Sequence, residues 1–316
     1  MTIDPRHLAS LLAVVRHGSF NRAAAARGLS QPALSNSVTM LERKLSARVM
    51  DRTTRGSTLT DVGEILARGA LTLESLLAQI EEEVRLKNLG IEGPLIVGAI
   101  PSAMLRLIPD ALEALLVKYP RLSISIIEGP DDRLVPRLQA GEIDILVCPV
   151  AGLHPAPDGI IEETLIRDNF SIGLSSNHRL ARRKSLRLAE LQDEVWILPG
   201  NDSSYRRHLA AIFIAAGVPW PIHCISSGSM SLTESLVSHT DRITIISQLL
   251  LVGRKRGGLC SVPLEGAGGR VIGIKRRARG ELAPIAQAFV ACLREGCSGL
   301  SAGIELNREI AKRVAS

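Results

Sequence analysis

The segment GSFNRAAAARGLSQPALS, residues 18–35, contains a short helix, a glycine turn and the start of a second helix. The alanines at 23–26 make a helix that a neighbour can approach closely, and Gly28 allows a tight turn. Ser30 is a residue type that caps the N-terminus of a helix. The segment therefore predicts a helix-turn-helix, with a short helix over 21–27 and a longer one after Ser30.

The flanking residues extend this pattern in both directions. Before it, residues 6–17 predict a helix whose apolar face consists of Leu8, Leu11, Leu12 and Val15. After it, a spacing of four and three residues gives a buried stripe of Leu34, Val38, Leu41 and Leu45. The opposite face is short or polar: Gln31, Pro32, Ser35, Asn36 and Thr39. Because Gln and Asn can pair with adenine edges, this helix is expected to enter the major groove of DNA.

The segment Arg52–Thr60 predicts a wing of two short β segments around Gly56. Its arginines would reach phosphates or a minor groove, as would the start of the short helix. The predicted DNA-contacting residues are Asn21, Arg22, Ser30, Gln31, Pro32, Ser35, Asn36, Thr39, Arg52, Arg55 and Thr58. Taken singly, an exposed Arg is usually a solvated residue and a Ser usually only caps a helix. Their order and spacing carry the prediction.

Charge is concentrated in the same region. Of the 316 residues, 46% are hydrophobic and 22% charged, which is ordinary globular usage, and the net charge is +6. Residues 1–58 contain nine basic and three acidic residues, whereas 59–316 contain 29 of each. This asymmetry indicates a small N-terminal module that meets a polyanion, the alternative being chance clustering on a solvated face.

The N-terminal pattern resembles the signature of LysR-type transcriptional regulators. The resemblance rests on residues 18–24, 29–35 and 41–42, on Arg52-Thr53, and on Leu59-Thr60-Asp61-Val62-Gly63. Asn36 departs from it, since many members carry Arg there. The resemblance implies a homotetramer, a dimer of dimers, that binds two operator half-sites in double-stranded DNA and bends them under the control of a small-molecule effector. The resemblance also allows RNA polymerase as a further partner.

A helix without proline follows over 60–87, and its apolar residues alternate spacings of four and three. This heptad seam, together with the resemblance, predicts dimerisation through Leu66, Leu73, Leu77, Ile80 and Val84, with Ala70 in the same row. A single long helix packed on its own domain would show the same pattern. Residues 89–93 then form a hinge ending at Pro94.

The remaining chain alternates apolar strands with helical patterns, which predicts a parallel sheet covered on both faces. Gly141-Glu142-Ile143-Asp144 looks like a signature of the LysR effector domain, which resembles periplasmic binding proteins with two lobes. The predicted fold class is thus α/β with an N-terminal all-α winged helix-turn-helix, a long linker helix and a two-lobed effector domain. The predicted domains are 1–58, 59–88, the hinge 89–93, the effector domain 94–300 and a tail 301–316; lobe I comprises 94–167 and 270–300, and lobe II 168–269.

Short polar residues follow the predicted strands of this domain, where ligands of α/β sheets bind. By resemblance, the effector cleft would be lined by Pro101, Ser102, Ala103, Glu128, Pro149, Asn201, Ser203, Ser227 and Ser247. Each Ser could equally be only a helix cap. Hydroxyl and backbone donors without a dense Arg cluster favour a small organic acid as effector, with a neutral sugar as the competing ligand.

Enzyme signatures are lacking in the sequence. The seven histidines form no metal-binding pair, Gly266–Gly269 has the wrong spacing for a dinucleotide fingerprint, and the five cysteines form no close pair. We therefore expect no catalytic residues, no metal and no cofactor. No apolar stretch reaches the ~18 residues of a membrane span and no signal segment is evident, so a cytoplasmic protein that meets no membrane is expected. The alternative is a small-molecule binding protein or enzyme whose basic N-terminal helices serve only assembly.

Overall fold

A computed structural model describes residues 3–53, 56–150, 156–200, 204–250 and 258–314, leaving aside the side chains of 52–57, 250 and 301–314. The chain divides into two compact units. The first comprises Met1–Leu89 with Gln139–Glu142, and the second Gly90–Leu138 with Ile143–Ser316. Within the described ranges, no helix is long and apolar enough to cross a membrane.

The first unit is a winged helix-turn-helix followed by a long helix. Its elements are α1 (Pro5–His17), α2 (Phe20–Ala26), α3 (Gln31–Leu45), β1 (Met50–Thr53), β2 (Gly56–Leu59) and α4 (Asp61–Asn88). The two strands pair antiparallel. The predicted helices and the predicted wing are therefore present, with bounds shifted by one or two residues.

Side-chain caps define where these helices begin. Ser19 Oγ accepts a hydrogen bond from the backbone N–H of Arg22, and Ser30 Oγ accepts one from Ala33, both at 3.3 Å. Thr60 Oγ1 accepts from the N–H of Gly63 at 3.1 Å. Each of these bonds satisfies an amide that would otherwise lack a partner at a helix N-terminus.

The core of this unit comes from all three small helices and the first strand. Its buried members are Leu11, Ala13, Val14, Ala23, Ala24, Leu34, Val38, Leu41, Val49 and Met50. The prediction of Val15 in this core is wrong: Val14 is buried and Val15 is 39% exposed. Helix α1 presents Leu11 and Val14, three residues apart, to α3, and Val15 lies a further 100° round the helix.

Helix α4 begins against this core. Leu66 packs on the cluster of the same unit, and Ala67 and Ala70 are buried. Gly63 lies so close to the residue before the first strand that an added Cβ would meet the carbonyl oxygen of Val49 at 2.0 Å. Leu66 therefore packs partly in its own unit, and its place in the dimer seam stays a prediction.

The second unit is α/β. Its elements are β3 (Glu92–Ala99), α5 (Pro101–Met104), α6 (Leu107–Lys118), β4 (Leu122–Glu128), α7 (Asp131–Ala140), β5 (Ile145–Val150), β6 (Ile160–Ser175), a 3-10 turn (Leu188–Leu191), β7 (Trp196–Leu198), α8 (Ser204–Ala215), β8 (Cys224–Ser226), α9 (Met230–His239), β9 (Thr244–Ser247), a 3-10 turn (Gln248–Leu250), β10 (Leu259–Pro263), β11 (Gly269–Arg277) and α10 (Pro284–Val314). The main strand order is β10-β6-β11-β5-β3-β4, with β9 also pairing β6.

Strand β6 is shared by two lobes. Its first part, Ile160–Asn169, pairs antiparallel with β11, and its last part pairs with β9 and β10. Each lobe has its own apolar core: the first is centred on β3, β5, α6 and α10, and the second on the end of β6, Trp196 and α8. The two-lobed arrangement predicted from the sequence is thus present.

Three details of this unit differ from the sequence interpretation. The sheet is mixed, since β3, β4 and β5 are parallel whereas β6 and β11 run antiparallel to their neighbours. The sequence pattern predicts one helix over 104–119, whereas α5 ends at Met104 and α6 begins at Leu107, because Arg106 leaves helical geometry with φ −140°. The pattern after Pro284 predicts a helix that ends near Arg294, whereas the backbone of α10 continues to Val314.

The close approach at Gly63 generates a stability prediction. Gly63→Ala should lower the free energy of unfolding of the first unit by about 1–3 kcal/mol, because the methyl group must displace the backbone of Val49. Gly69→Ala, in the same helix with nothing within 4 Å of the added methyl, should raise it by about 0.5–1 kcal/mol. Thermal unfolding of the full-length variants followed by circular dichroism measures both. Shifts of the same sign would contradict the close-packing argument.

Candidate DNA-binding surface and effector cavity

The turn between α2 and α3 holds the two helices in a fixed geometry. Gly28 has φ +65°, a region that side chains disfavour. The N–H of Leu29 donates to Ala24 O at 2.9 Å, which ties the turn to the end of α2. Helix α3 then buries Leu34 and Val38 and leaves its opposite side toward solvent.

Most of the predicted DNA-contacting residues have exposed side chains. Those with exposed side chains are Asn21, Arg22, Ser30, Gln31, Pro32 and Asn36, and Thr58 is exposed on β2. Ser35 and Thr39 are half-buried, and Thr39 Oγ1 donates to Ser35 O at 3.0 Å. Arg55 and the side chain of Arg52 lie outside the described residues.

The basic side chains of this unit fall into two groups. The first group is paired: Arg6 with Asp4 at 2.8 Å, and Arg16 with Glu74, where Nη1 and Oε1 are 2.9 Å apart. The hydrogen bonds from Arg6 lower the pKa of Asp4 to about 2. The second group makes no ion pair among the described residues: Arg22, Arg27, Arg43, Lys44 and Arg48. The positive charge of this second group is therefore available to an external polyanion.

A cavity of about 310 Å³ lies inside the second unit. It is lined by Ile100, Pro101, Ser102, Pro130, Asp131, Arg133, Pro149, Ile197, Leu198, Pro199, Gly200, Ser204, Tyr205, Ser227, Gly228, Ser229, Met230, Thr233, Thr244, Ile245, Ile246, Ser247 and Arg270. These residues come from both lobes, so the cavity sits where the lobes meet. The predicted effector residues Pro101, Ser102, Pro149, Ser227 and Ser247 are among them.

Two predicted effector residues, Ala103 and Glu128, are not part of this lining. Ala103 is 1% exposed and packs in the core of lobe I, because the short helix α5 turns it away from the cavity. Glu128, the last residue of β4, is exposed and does not line the cavity. Side chains alternate between the two faces of a strand, which accounts for the direction of the Glu128 side chain away from the cavity. Asn201 and Ser203 lie outside the described residues.

A buried ion pair that the sequence interpretation missed borders the cavity. Asp168 on β6 and Arg270 on β11 are paired in the strand register, and Arg270 Nε donates to Asp168 Oδ2 at 3.0 Å. The Asp168 side chain is 0% exposed. The sequence offered no clear signal, because Asp168 lies among other polar residues of β6 and its partner lies 102 residues further along the chain.

Two serines extend this pair into a chain of hydrogen bonds. Ser247 Oγ of lobe II donates to Asp168 Oδ1 at 2.5 Å, and Arg270 Nη2 donates to Ser102 Oγ of lobe I at 2.8 Å. These hydrogen bonds thus connect both lobes through β6 and β11, the two strands that pass between them. It satisfies both oxygens of the buried carboxylate, as a buried charge requires.

Aromatic rings flank the guanidinium group of Arg270. Its Cζ lies 5.3 Å from the ring centroid of Tyr205 and 5.5 Å from that of Phe170. Tyr205 Oη donates to Ile245 O at 3.0 Å, and burial raises the pKa of Tyr205 to about 12. Tyr205 is therefore a neutral wall of the site at physiological pH.

The rest of the cavity wall is mainly apolar. Its apolar members include Ile100, Pro101, Pro130, Pro149, Ile197, Leu198, Pro199, Met230 and Ile246. Between the lobes, Ser204 Oγ of α8 donates to a carboxylate oxygen of Asp131 on α7, and Arg207 pairs with Asp132 at 3.2 Å. The arrangement offers one polar pole and an apolar body, which is typical of a small-molecule site.

Metal and thiol chemistry find little support in the described parts of the chain. No group of three or more His, Cys, Asp or Glu side chains there could hold a metal ion. The five cysteines are free thiols, and Cys148, Cys292 and Cys297 are buried. Burial raises the pKa of Cys148 to about 12 and that of Cys297 to about 11. Such thiols carry almost no thiolate at neutral pH.

Both units match models of known protein families. Residues 5–64 match the family model of the bacterial regulatory helix-turn-helix proteins of the lysR family, and residues 89–298 match the LysR substrate binding domain. The chain is 25% identical over 259 residues to a hydrogen peroxide-inducible genes activator of Dickeya chrysanthemi, covering 82% of this chain and 84% of the relative.

Two solved structures share the fold. A full-length OxyR variant from Pseudomonas aeruginosa superposes with a TM-score of 0.62 at 20% identity, covering 93% of this chain and 98% of that chain. Full-length CbnR complexed with its target DNA has a TM-score of 0.60 at 21% identity, covering 93% of this chain and 100% of that one. With a family model matching well over half of its residues, the chain belongs to the LysR family of DNA-binding transcriptional regulators and is not an enzyme.

Proposed function

We propose that this regulator binds operator DNA through α3 as a homo-oligomer, arranged as a dimer of dimers, and that a small organic acid in the cavity modulates its DNA binding and bending. It acts in the cytoplasm, where its operator and RNA polymerase are accessible. The observation that carries the proposal is the polar, exposed face of α3 opposite its buried stripe.

The α3 face supports base reading. Gln31 lies at the N-terminus of α3 and Asn36 one and a half turns later, and both amides are exposed. The N-terminal residues of a recognition helix contact base edges in the major groove. The unpaired basic side chains around the motif, Arg22 and Arg43 among them, supply phosphate contacts. Arg52, Arg55 and Thr58 of the wing remain proposed contacts to the backbone or minor groove.

The linker helix α4 supports self-association. Its later apolar residues are exposed in the single chain: Leu77 at 52%, Ile80 at 48% and Val84 at 56%. Leu73 is half-buried, and all four follow the heptad spacing. A row of exposed apolar side chains on a long helix is costly in water, and pairing with a second copy removes that cost. The proposed seam therefore runs at least from Leu73 to Val84.

The cavity supports the effector part of the proposal. Ser102 and Arg270 form a polar pole on a mainly apolar wall, and the volume of about 310 Å³ suits a compact molecule. A neutral sugar is the competing ligand, since the Ser and Thr hydroxyls of the lining could hydrogen-bond to its ring. The alternative function, a binding protein whose basic helices serve only assembly, leaves the unpaired basic group around α3 without a role.

The DNA-binding proposal predicts two different mutational patterns. Gln31→Ala should cost about 1–3 kcal/mol at the operator and little on random duplex, because a base-edge contact is lost. Arg22→Ala should weaken binding to both duplexes alike and lower the slope of log affinity against log salt by ~1. Fluorescence anisotropy with the protein's own upstream region, at several salt concentrations, measures both. Equal losses on the two duplexes for Gln31→Ala would show that α3 does not read bases.

The linker proposal predicts that Leu77→Lys raises the dimer dissociation constant at least about tenfold, because an ammonium group would be buried without a partner. Ala78→Lys, one residue further round the helix and also exposed, is the matched control and should leave the dimer intact. Analytical ultracentrifugation of the full-length proteins gives the masses. A Leu77→Lys protein with the wild-type mass would place the dimer contact elsewhere.

The thiol environments predict that hydrogen peroxide does not control this protein, unlike the relative named a hydrogen peroxide-inducible genes activator. The raised pKa values of Cys148, Cys260 and Cys297 disfavour the thiolate that peroxide attacks at these three positions, and Cys292 is buried. Operator affinity should therefore be the same before and after peroxide treatment. A change that disappears in Cys224→Ser would identify Cys224, a half-buried thiol, as a sensor and contradict this prediction.

A further inference from the structure

Most hydroxyl groups that line the cavity already donate their hydrogen to a protein acceptor. The acceptors are a carboxylate oxygen of Asp131 for Ser204, Ile245 O for Tyr205, Ser229 O for both Ser227 and Thr233, and Asp168 Oδ1 for Ser247. A hydroxyl has only one hydrogen to donate. These five groups can therefore offer a ligand only lone pairs.

Ser102, Ser229 and Thr244 make no such donation among the described residues, and of these three Ser102 is the one bonded to Arg270. Its Oγ accepts the hydrogen bond from Arg270 Nη2 at 2.8 Å, and among the described residues its own hydrogen has no acceptor. Ser102 as a residue is 6% exposed and lines the cavity, so this hydrogen is available to a ligand there. The site therefore presents a hydroxyl donor at a point fixed by Arg270.

Arg270 supplies a second donor beside the first. Its Nε is engaged by Asp168 and its Nη2 by Ser102, while Nη1 meets no acceptor among the described residues. The side chain is only 10% exposed, and the Tyr205 and Phe170 rings restrict its position. Asp168 is a positioning residue here, because its bond to Nε sets the orientation of the planar guanidinium group.

We propose that Ser102 Oγ and Arg270 Nη1 together form the receptor for one carboxylate group, and that the effector is a monocarboxylate with a compact apolar body. This inference rests on the proposed function and narrows it to a head group and two specificity-determining side chains. Two adjacent donors, one of them charged, match the two oxygens of a carboxylate. A carboxamide of the same shape presents only one acceptor oxygen and places an NH₂ donor against the second protein donor.

The remainder of the wall disfavours a second acidic group. Beyond the pole, the ligand meets Ile197, Met230 and Ile246 and the proline rings. Asp131 adds a negative charge to the lining, where it already accepts from Ser204. A second carboxylate on the ligand would lose its hydration against the apolar groups. The other cation of the described lining, Arg133, already has an interaction of its own. Dicarboxylates are therefore expected to bind more weakly than monocarboxylates of similar size.

The test compares acids with their isosteric amides on the full-length protein. The probes are benzoate, cyclohexanecarboxylate and 4-methylpentanoate, each with its carboxamide, and terephthalate as the dicarboxylate. Isothermal titration calorimetry gives dissociation constants, with thermal shift as a second readout. Wild-type protein should bind at least one acid about 10- to 100-fold more tightly than its amide, and terephthalate more weakly than benzoate.

Two serine variants form the matched comparison. Ser102→Ala should lower acid affinity about tenfold or more and leave amide affinity nearly unchanged, so that the selectivity collapses. Ser227→Ala removes the same group from the same cavity, but that hydroxyl already donates to Ser229 O, so the selectivity should persist. Arg270→Lys should reduce the selectivity as well, although the net charge is retained, because the planar fork is lost.

Several outcomes would overturn the assignment. These are acids and amides that bind alike, no response to any monocarboxylate, and equal effects of Ser102→Ala and Ser227→Ala. Operator affinity, measured for each variant by fluorescence anisotropy, reports folding and DNA binding separately. If the wild-type protein shows no specific operator binding, that result would instead contradict the proposed function itself.

Discussion

The buried ion pair of Asp168 and Arg270 is the constraint on which the two-lobed unit depends. A carboxylate that is 0% exposed is strongly unfavourable unless every oxygen has a partner, and here Arg270 and Ser247 supply them. Because the pair lies on strands β6 and β11, satisfying it also fixes the strands that connect the lobes. The polar pole of the cavity is thus a consequence of how the chain stabilises one buried charge.

Hydrogen-bond polarity then divides the cavity wall into groups with different abilities. Serines that look equivalent in the sequence differ according to whether they donate to or accept from the protein. Ser247 donates to a carboxylate and Ser102 accepts from a guanidinium group. Ser247 can therefore offer a ligand only lone pairs, whereas Ser102 can offer its hydrogen. The hydrogen bonds within the cavity wall, and not residue identity alone, therefore decide which ligand groups the wall can bind.

The first unit depends on local interactions instead. Helix caps at Ser19, Ser30 and Thr60 are bonds between residues three apart in sequence, and Gly28 sets the turn through its own backbone. The positive charge available to DNA is what remains after Asp4 and Glu74 have paired with Arg6 and Arg16. The sequence could count the charges of this unit, but it could not show which of them are paired.

The sequence by itself determined the helix-turn-helix, the wing, the linker helix and the α/β class, because caps, turns and periodicity act within a few residues. It also placed Ser102 and Ser247 near strand ends, where cavities of such sheets lie. Only the tertiary structure decided that Leu66 packs partly in its own unit while Leu77 is exposed. It alone paired Asp168 with Arg270, since strand register over 102 residues depends on packing that no local pattern encodes.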